Sequence, residues 1–226
     1  MKNTFLWLLE FLSWVLNLFS NLFIFISIDT EGTSKTKNPV VIVIGGFTGS
    51  IIYIPFKKYL ESRGFEVFIP QFSQEMGNLT TAPYNLQRYM QKKKIFHATL
   101  VGISAGGLVS YLYLEELNGW TRVEKFIPIA TPFKGTWMAI FTYLRLTGRQ
   151  LLPTSKFIEK IQSIKTKNIN KIYCIVAKKD ELVPSWSSFI EGSKVIKINI
   201  IGHVRIHCFS KKTFKIVADI AEQNTK

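Results

Sequence analysis

From Pro39 onward, short runs of β-branched and aliphatic residues alternate with longer stretches of helical period. The runs Val40–Ile44, Phe65–Ile69, Thr99–Gly102, Lys125–Ile129, Ile172–Ala177 and Lys194–Ile200 read as strands, because short apolar runs rich in Val and Ile suit a sheet covered on both faces. Between them the spacing predicts helices over about 50–63, 82–95, 106–118 and 210–222. Strands that alternate with helices in this way predict an α/β fold, a mainly parallel sheet flanked by helices. The stretch 133–164 is apolar and aromatic but broken by Gly148 and Pro153, and it reads as a small apolar cap inserted into the alternation.

The first thirty residues follow a different pattern. Phe5 to Ile28 is almost continuously apolar, interrupted by Glu10, Ser13, Asn17, Ser20, Asn21 and Ser27. Its length, roughly 24 residues, exceeds the ~20 that cross a hydrocarbon core as a helix. Positions 10, 13, 17, 20 and 21 fall at steps of three and four, so a helix gathers them into one narrow polar stripe. Two placements at a membrane follow. The helix spans the bilayer with its stripe turned to a partner, or it lies in the interface with Trp7 and Trp14 near the headgroups. The alternative is an N-terminal helix buried in the globular domain. Residues 29–38 contain no apolar side chain and read as a linker, which divides the chain into a hydrophobic membrane-associating helix (1–28), the linker, and a folded domain (39–226). Lys2 on one side, and Lys35 and Lys37 among acids on the other, assign no side of the membrane.

Composition narrows the class. At 226 residues, 47% hydrophobic and 19% charged, the chain is too apolar to be disordered and is long enough for one catalytic-size domain. Its 29 Lys and Arg against 15 Asp and Glu give a net charge of +14, and charges within residues 1–39 cancel, so the excess belongs to the folded domain. An anionic membrane surface would attract it. Nucleic acid is set aside, because the basic residues are dispersed and no aromatic-basic RNA motif is present. Cys174 and Cys208 have no Cys-x-x-Cys spacing, which argues against a zinc cluster, a thioredoxin-like motif or a disulfide scaffold.

The chemistry centres on Gly102-Ile103-Ser104-Ala105-Gly106, placed where a buried strand ends and a helix begins. At such a turn the serine backbone is strained, and small residues two before and two after avoid clashes across the bend. Ser104 is therefore the candidate nucleophile. A serine hydroxyl needs an adjacent base, and the base needs a carboxylate to orient it. Asp180 follows the strand ending at Ala177, and His203 follows the last strand, so the parallel sheet brings both to the edge that carries Ser104. Glu181 and His207 are the rivals for these two roles, while His97 stands at the start of a strand, on the opposite edge. The developing oxyanion calls for two backbone N–H groups: Ala105, at the helix start, and Phe47, in the loop Ile44-Gly45-Gly46-Phe47. A phosphate-cradling role for that loop fails, because no Lys-Ser/Thr pair follows its glycines.

With these motifs in order the chain resembles the α/β-hydrolase superfamily, in its lipase and esterase branch, over nearly all of residues 39–222. Gly45-Gly46-Phe47 corresponds to a loop that commonly reads His-Gly-Phe there, and Thr131-Pro132-Phe133-Lys134-Gly135-Thr136 to a Thr-Pro-His-x-Gly-Ser segment. The order Ser104, Asp180, His203 also matches. Gly45 and Phe133 stand where the branch usually has histidines. The resemblance implies an α/β-hydrolase fold, ester hydrolysis through an acyl-serine intermediate, and neither metal nor organic cofactor. Phe133, Trp137 and Phe141, with Met138, Ile140, Leu144, Leu151 and Leu152 nearby, would line the site and accept an acyl chain, pointing to lipid or other long-chain acyl esters delivered from a membrane. Acyl transfer or thioester cleavage by the same triad, or a non-catalytic membrane-surface binding module, are the alternatives.

Overall fold

Val40, Val41, Ile42 and Val43 are each 1% exposed or less, and a strand buried at every successive position has apolar cover on both faces. In the computed structural model, which describes residues 2–21, 37–46, 49–71 and 77–223, this strand is β1 (Lys37–Val43). It is joined by β2 (Phe65–Phe68), β3 (Ala98–Ile103), β4 (Val123–Ile129), β5 (Tyr173–Lys179) and β6 (Lys194–Ile201). The six form one sheet in the order β2-β1-β3-β4-β5-β6, and every neighbouring pair is parallel. The chain leaves β1 toward β2 and then returns to β3 on β1's other side. The direction of winding therefore reverses between β1 and β3, and the loops leaving these two strands open a crevice at the C-terminal edge.

Alternation divides the core. Val41 and Val43 face α3 (Ala82–Lys92), α4 (Ala105–Glu116) and α6 (Lys156–Ser163), meeting Leu86, Met90, Leu108 and Ile158. Val40 and Ile42 face α2 (Ile54–Ser62) and α8 (Lys211–Glu222), meeting Phe56, Leu60, Phe214 and Val217. Helix starts follow local chemistry. Ser155 and Ser210 each accept an otherwise unpaired amide of the first turn, from Ile158 and Thr213, and capping of this kind is worth about 1 kcal/mol.

The structure narrows the cap expected over 133–164. Phe157, Ile158 and Ile161 of α6 pack into the core, so that part is a layer of the main fold. What stands out is the 3-10 turn Trp137–Thr142 and α5 (Leu146–Leu151). Leu144, between them, is 98% exposed.

The N-terminal helix α1 (Lys2–Asn21) packs against β6, the turn at 50–53 and the short helix α7 (His203–Cys208). It does so with its polar side inward. Glu10, Ser13 and Asn17 are 2%, 5% and 3% exposed, whereas Phe5, Leu8, Phe11, Leu12, Leu16, Leu18 and Phe19 are 48–64% exposed. The polar stripe thus meets the chain's own sheet edge, and the apolar face points outward. Among the described residues, no helix is long and apolar enough to cross a membrane. The rest of the apolar segment and nearly all of the expected linker lie outside the described residues.

Candidate active site

Ser104 occupies the turn between β3 and α4 with φ 51° and ψ −127°, a combination that side-chain-bearing residues rarely adopt. Its amide donates to Ile129 O at 2.9 Å, which fixes the turn to β4. The flanking glycines are dictated by space. A Cβ on Gly102 would lie 2.5 Å from Gly107 Cα, and one on Gly106 would lie 2.7 Å from Ile44 O. Gly106→Ala should therefore destabilise the fold by about 1–3 kcal/mol, the usual cost of overpacking. Urea denaturation measures it, and an unchanged midpoint would show that the turn accommodates the methyl group.

The hydroxyl of Ser104 lies 3.1 Å from His203 Nε2, and His203 Nδ1 lies 2.8 Å from Asp180 Oδ2. Asp180 is held by its other oxygen, which accepts the amides of Leu182 at 2.9 Å and Val183 at 2.8 Å. The three side chains that the sequence analysis singled out thus form one chain of hydrogen-bonding groups. Their rivals point elsewhere. Glu181 accepts the backbone N–H of His203 and the indole N–H of Trp14, the latter at 2.8 Å. His207 is buried one turn further along α7, with Nδ1 3.2 Å from the Tyr53 hydroxyl. His97 is exposed and pairs with Glu124 at 2.8 Å.

Burial pulls the His203 imidazolium down, but the Asp180 carboxylate, with Glu181 behind it, outweighs this and leaves its pKa above the ordinary histidine value. For His207, burial and the neighbouring His203 act together and hold the pKa well below that value, so it stays neutral. An array of this kind can withdraw the hydroxyl proton to the imidazole and stabilise the resulting cation with the buried carboxylate.

The site opens into a cavity of about 380 Å3 between α1, the 3-10 turn and the strand ends. Ala105, at the start of α4, lines it, as do Gly45 and Gly46 of the loop after β1. Gly45 sits close to Ser104: a Cβ there would stand 3.1 Å from Ser104 Cβ. Phe47 lies outside the described residues. Of the three residues expected to line the site, Phe141 does so. Phe133 is corrected. It is 3% exposed and packs edge-on against Tyr111 at 5.6 Å, because the turn after β4 directs it into the core beneath α4. Trp137 is also corrected: it is 58% exposed at the start of the 3-10 turn and does not line the cavity, whose wall here is Met138, Ala139 and Phe141. Sequence reasoning did not place Glu10, Trp14 and Tyr53 at the site, and it weighed Glu181 only as a rival to Asp180. The one available signal was Glu10, the only charged residue within Phe5–Ile28. Among the described residues, no three His, Cys, Asp or Glu side chains are grouped to hold a metal ion.

No protein-family model and no curated protein sequence matches this chain. Solved structures do. The mature lipase BlEst2 of Bacillus licheniformis superposes with a TM-score of 0.68 at 15% identity, covering 85% of this chain and 95% of its own. The esterase EaEST of Exiguobacterium antarcticum gives 0.65 at 15% identity, over 84% of this chain and 94% of its own. The carboxylesterase CesB of Bacillus subtilis gives 0.62 at 12% identity, over 88% and 90%. The parallel sheet, its flanking helices and these similarities define the α/β-hydrolase fold.

Proposed function

We propose that the protein is a serine esterase that cleaves long-chain acyl esters through an acyl-serine intermediate, working at a membrane surface. The observation that carries this reading is the geometry of Ser104, His203 and Asp180, on a strained turn at the floor of an apolar cavity. His203 Nε2 takes the Ser104 proton as Oγ attacks the ester carbonyl, and Asp180 stabilises the imidazolium. The amide of Ala105, at the positive end of α4, stabilises the oxyanion. Collapse releases the alcohol, which takes the proton from His203. Water, activated by the same imidazole, then releases the acid and restores Ser104. The three solved lipases and esterases sharing the fold support ester hydrolysis in this protein.

The cavity supports the substrate class. Trp14, Ile103, Met138, Phe141, Leu151 and Val183 give it an apolar wall, and a volume of about 380 Å3 suits an acyl chain rather than a polar metabolite. The exterior supports the location. The two elements that line the cavity through Trp14 and Phe141 also carry exposed apolar residues, Phe11 and Leu18 on α1 and Ile140 and Phe141 on the 3-10 turn, and large exposed apolar patches mark membrane or partner surfaces. A net charge of +14 adds attraction to anionic lipid.

Hydrolysis of nitrophenyl esters of increasing chain length, with and without vesicles, tests both parts. Expected are a rise in kcat/KM from acetate toward longer chains, and cosedimentation with anionic vesicles that Phe11→Ser/Leu144→Ser weakens at least about tenfold, since each exposed apolar side chain inserted in lipid contributes roughly 1.5–3 kcal/mol. A preference for acetate would contradict the substrate class. Equal vesicle binding by the double variant would contradict the membrane surface.

A further inference from the structure

We propose that Glu10 of α1 is a positioning residue for His203, so that the docking of the N-terminal helix sets the geometry of the triad. The inference rests on His203 being the catalytic base.

His203 is the first residue of α7, and the opening amides of a helix have no partner within it. Here two carboxyl groups take three of them. The N–H of His203 goes to Glu181 at 3.0 Å, that of Val204 to Glu10 Oε1 at 2.8 Å, and that of Arg205 to Glu10 Oε2 at 3.1 Å. Glu10 reaches this place from 194 positions away in the chain. The other contacts of α1 reinforce the same junction. Trp14, one turn further on, donates to Glu181, and Arg205 Nη1 bridges Leu6 O at 3.3 Å and Ile201 O at 3.1 Å. Gly202 leaves room for the carboxyl group: a Cβ there would lie 2.7 Å from Glu10 Cγ, in a backbone already at φ +112°. The backbone that aims the imidazole at Ser104 is therefore clamped between Glu181 of its own sheet edge and Glu10 of the N-terminal helix.

Glu10 and Glu181 take adjacent amides, those of Val204 and His203, so two carboxyl groups sit side by side under the start of α7 and disfavour a charge on both. Burial and the neighbouring Glu181 carboxyl group push the Glu10 pKa up to about 8, against the pull of the two amides. The other titratable or charged groups around it are His203, His207, Cys208 and Arg205, with the Tyr53 phenol beyond His207. Loss of the Glu10 proton leaves two neighbouring carboxylates beneath α7, and their repulsion loosens the clamp. The folded state holds this proton more tightly than the unfolded chain. Its contribution to stability is thus present in full below about pH 4.5 and is lost as pH rises to about 8.

The test compares full-length wild type, Glu10→Gln, Glu10→Ala and Ser104→Ala on a short, soluble nitrophenyl ester without vesicles, so that membrane binding plays no part. Glutamine keeps the size but can offer a carbonyl to only one of the two amides. Expected are a kcat about tenfold lower in E10Q and about a hundredfold lower in E10A, with KM nearly unchanged, as for an ångström-scale displacement of a catalytic group. The wild-type kcat should fall through an alkaline transition near pH 8, and E10Q should lack that transition. Wild-type kcat in both variants with the transition retained would overturn the inference, as would a loss of rate no larger than the loss of folded protein by circular dichroism. If neither variant folds, the wild-type profile decides: absence of the alkaline fall overturns it. Full activity in Ser104→Ala would overturn the esterase reading and this inference with it, whereas an active wild type with an inert Ser104→Ala separates the two.

Discussion

Replacing Ser104 by alanine is expected to lower kcat/KM for ester hydrolysis by about 10^4–10^6, the range seen when a serine nucleophile is removed from such a triad. Among the described residues the hydroxyl pairs with His203 Nε2 at 3.1 Å, and its backbone is fixed independently by the hydrogen bond from its N–H to Ile129 O. Alanine inherits the same φ of 51°, so the strain is unchanged and the thermal midpoint should move by no more than about 2 °C. Rate and stability therefore separate in this variant. Retained hydrolysis would assign the chemistry to another group, and a large fall in melting temperature would make the serine structural.

Asp180→Asn should lower kcat/KM by about 10^4, because an amide can present its NH2 group to Nδ1 and stabilise the wrong imidazole tautomer. The pH profile gives the sign of the electrostatic part. In the wild type, His203 must be neutral to accept the Ser104 proton, and its pKa lies above the ordinary histidine value, so kcat/KM climbs with pH along an acid limb placed above about 6.5. Asparagine removes the carboxylate that outweighs desolvation, and the limb should move to lower pH in the residual activity. Steady-state rates from pH 5 to 9 measure both effects. An unshifted limb would mean that Asp180 does not set the charge of His203.

Strands were the most legible part of the fold. Runs such as Val40–Ile44 and Ile172–Ala177 stay apolar at every position because both faces of a parallel sheet are covered, and no other element demands that of so short a segment. The juxtaposition of Ser104, Asp180 and His203 was legible for a related reason. Each follows a strand, and a parallel sheet carries all strand ends to one edge, so order in sequence was enough to bring residues 104, 180 and 203 together. Helix α7 was not anticipated. Its six residues, two of them histidines and one an arginine, are too few to show a period, and buried neighbours rather than propensity hold it. Phe133 was misplaced because an aromatic residue after Thr131-Pro132 suits either a cavity wall or a core, and only the turn after β4 decides between them. The stripe on α1 could be read from spacing, but not its partner. Glu10 lies far from Val204 and Arg205 in sequence, and a buried carboxyl group is recognisable only once the amides that need it are in place.

Peptide mapping by mass spectrometry after treating the folded full-length chain with a fluorophosphonate bears most directly on the chemistry. A single adduct on Ser104, formed in the wild type and at least about a hundredfold more slowly in His203→Ala, is the expected result. An adduct on a different residue, or none at all while ester hydrolysis proceeds, would contradict a serine mechanism at this site.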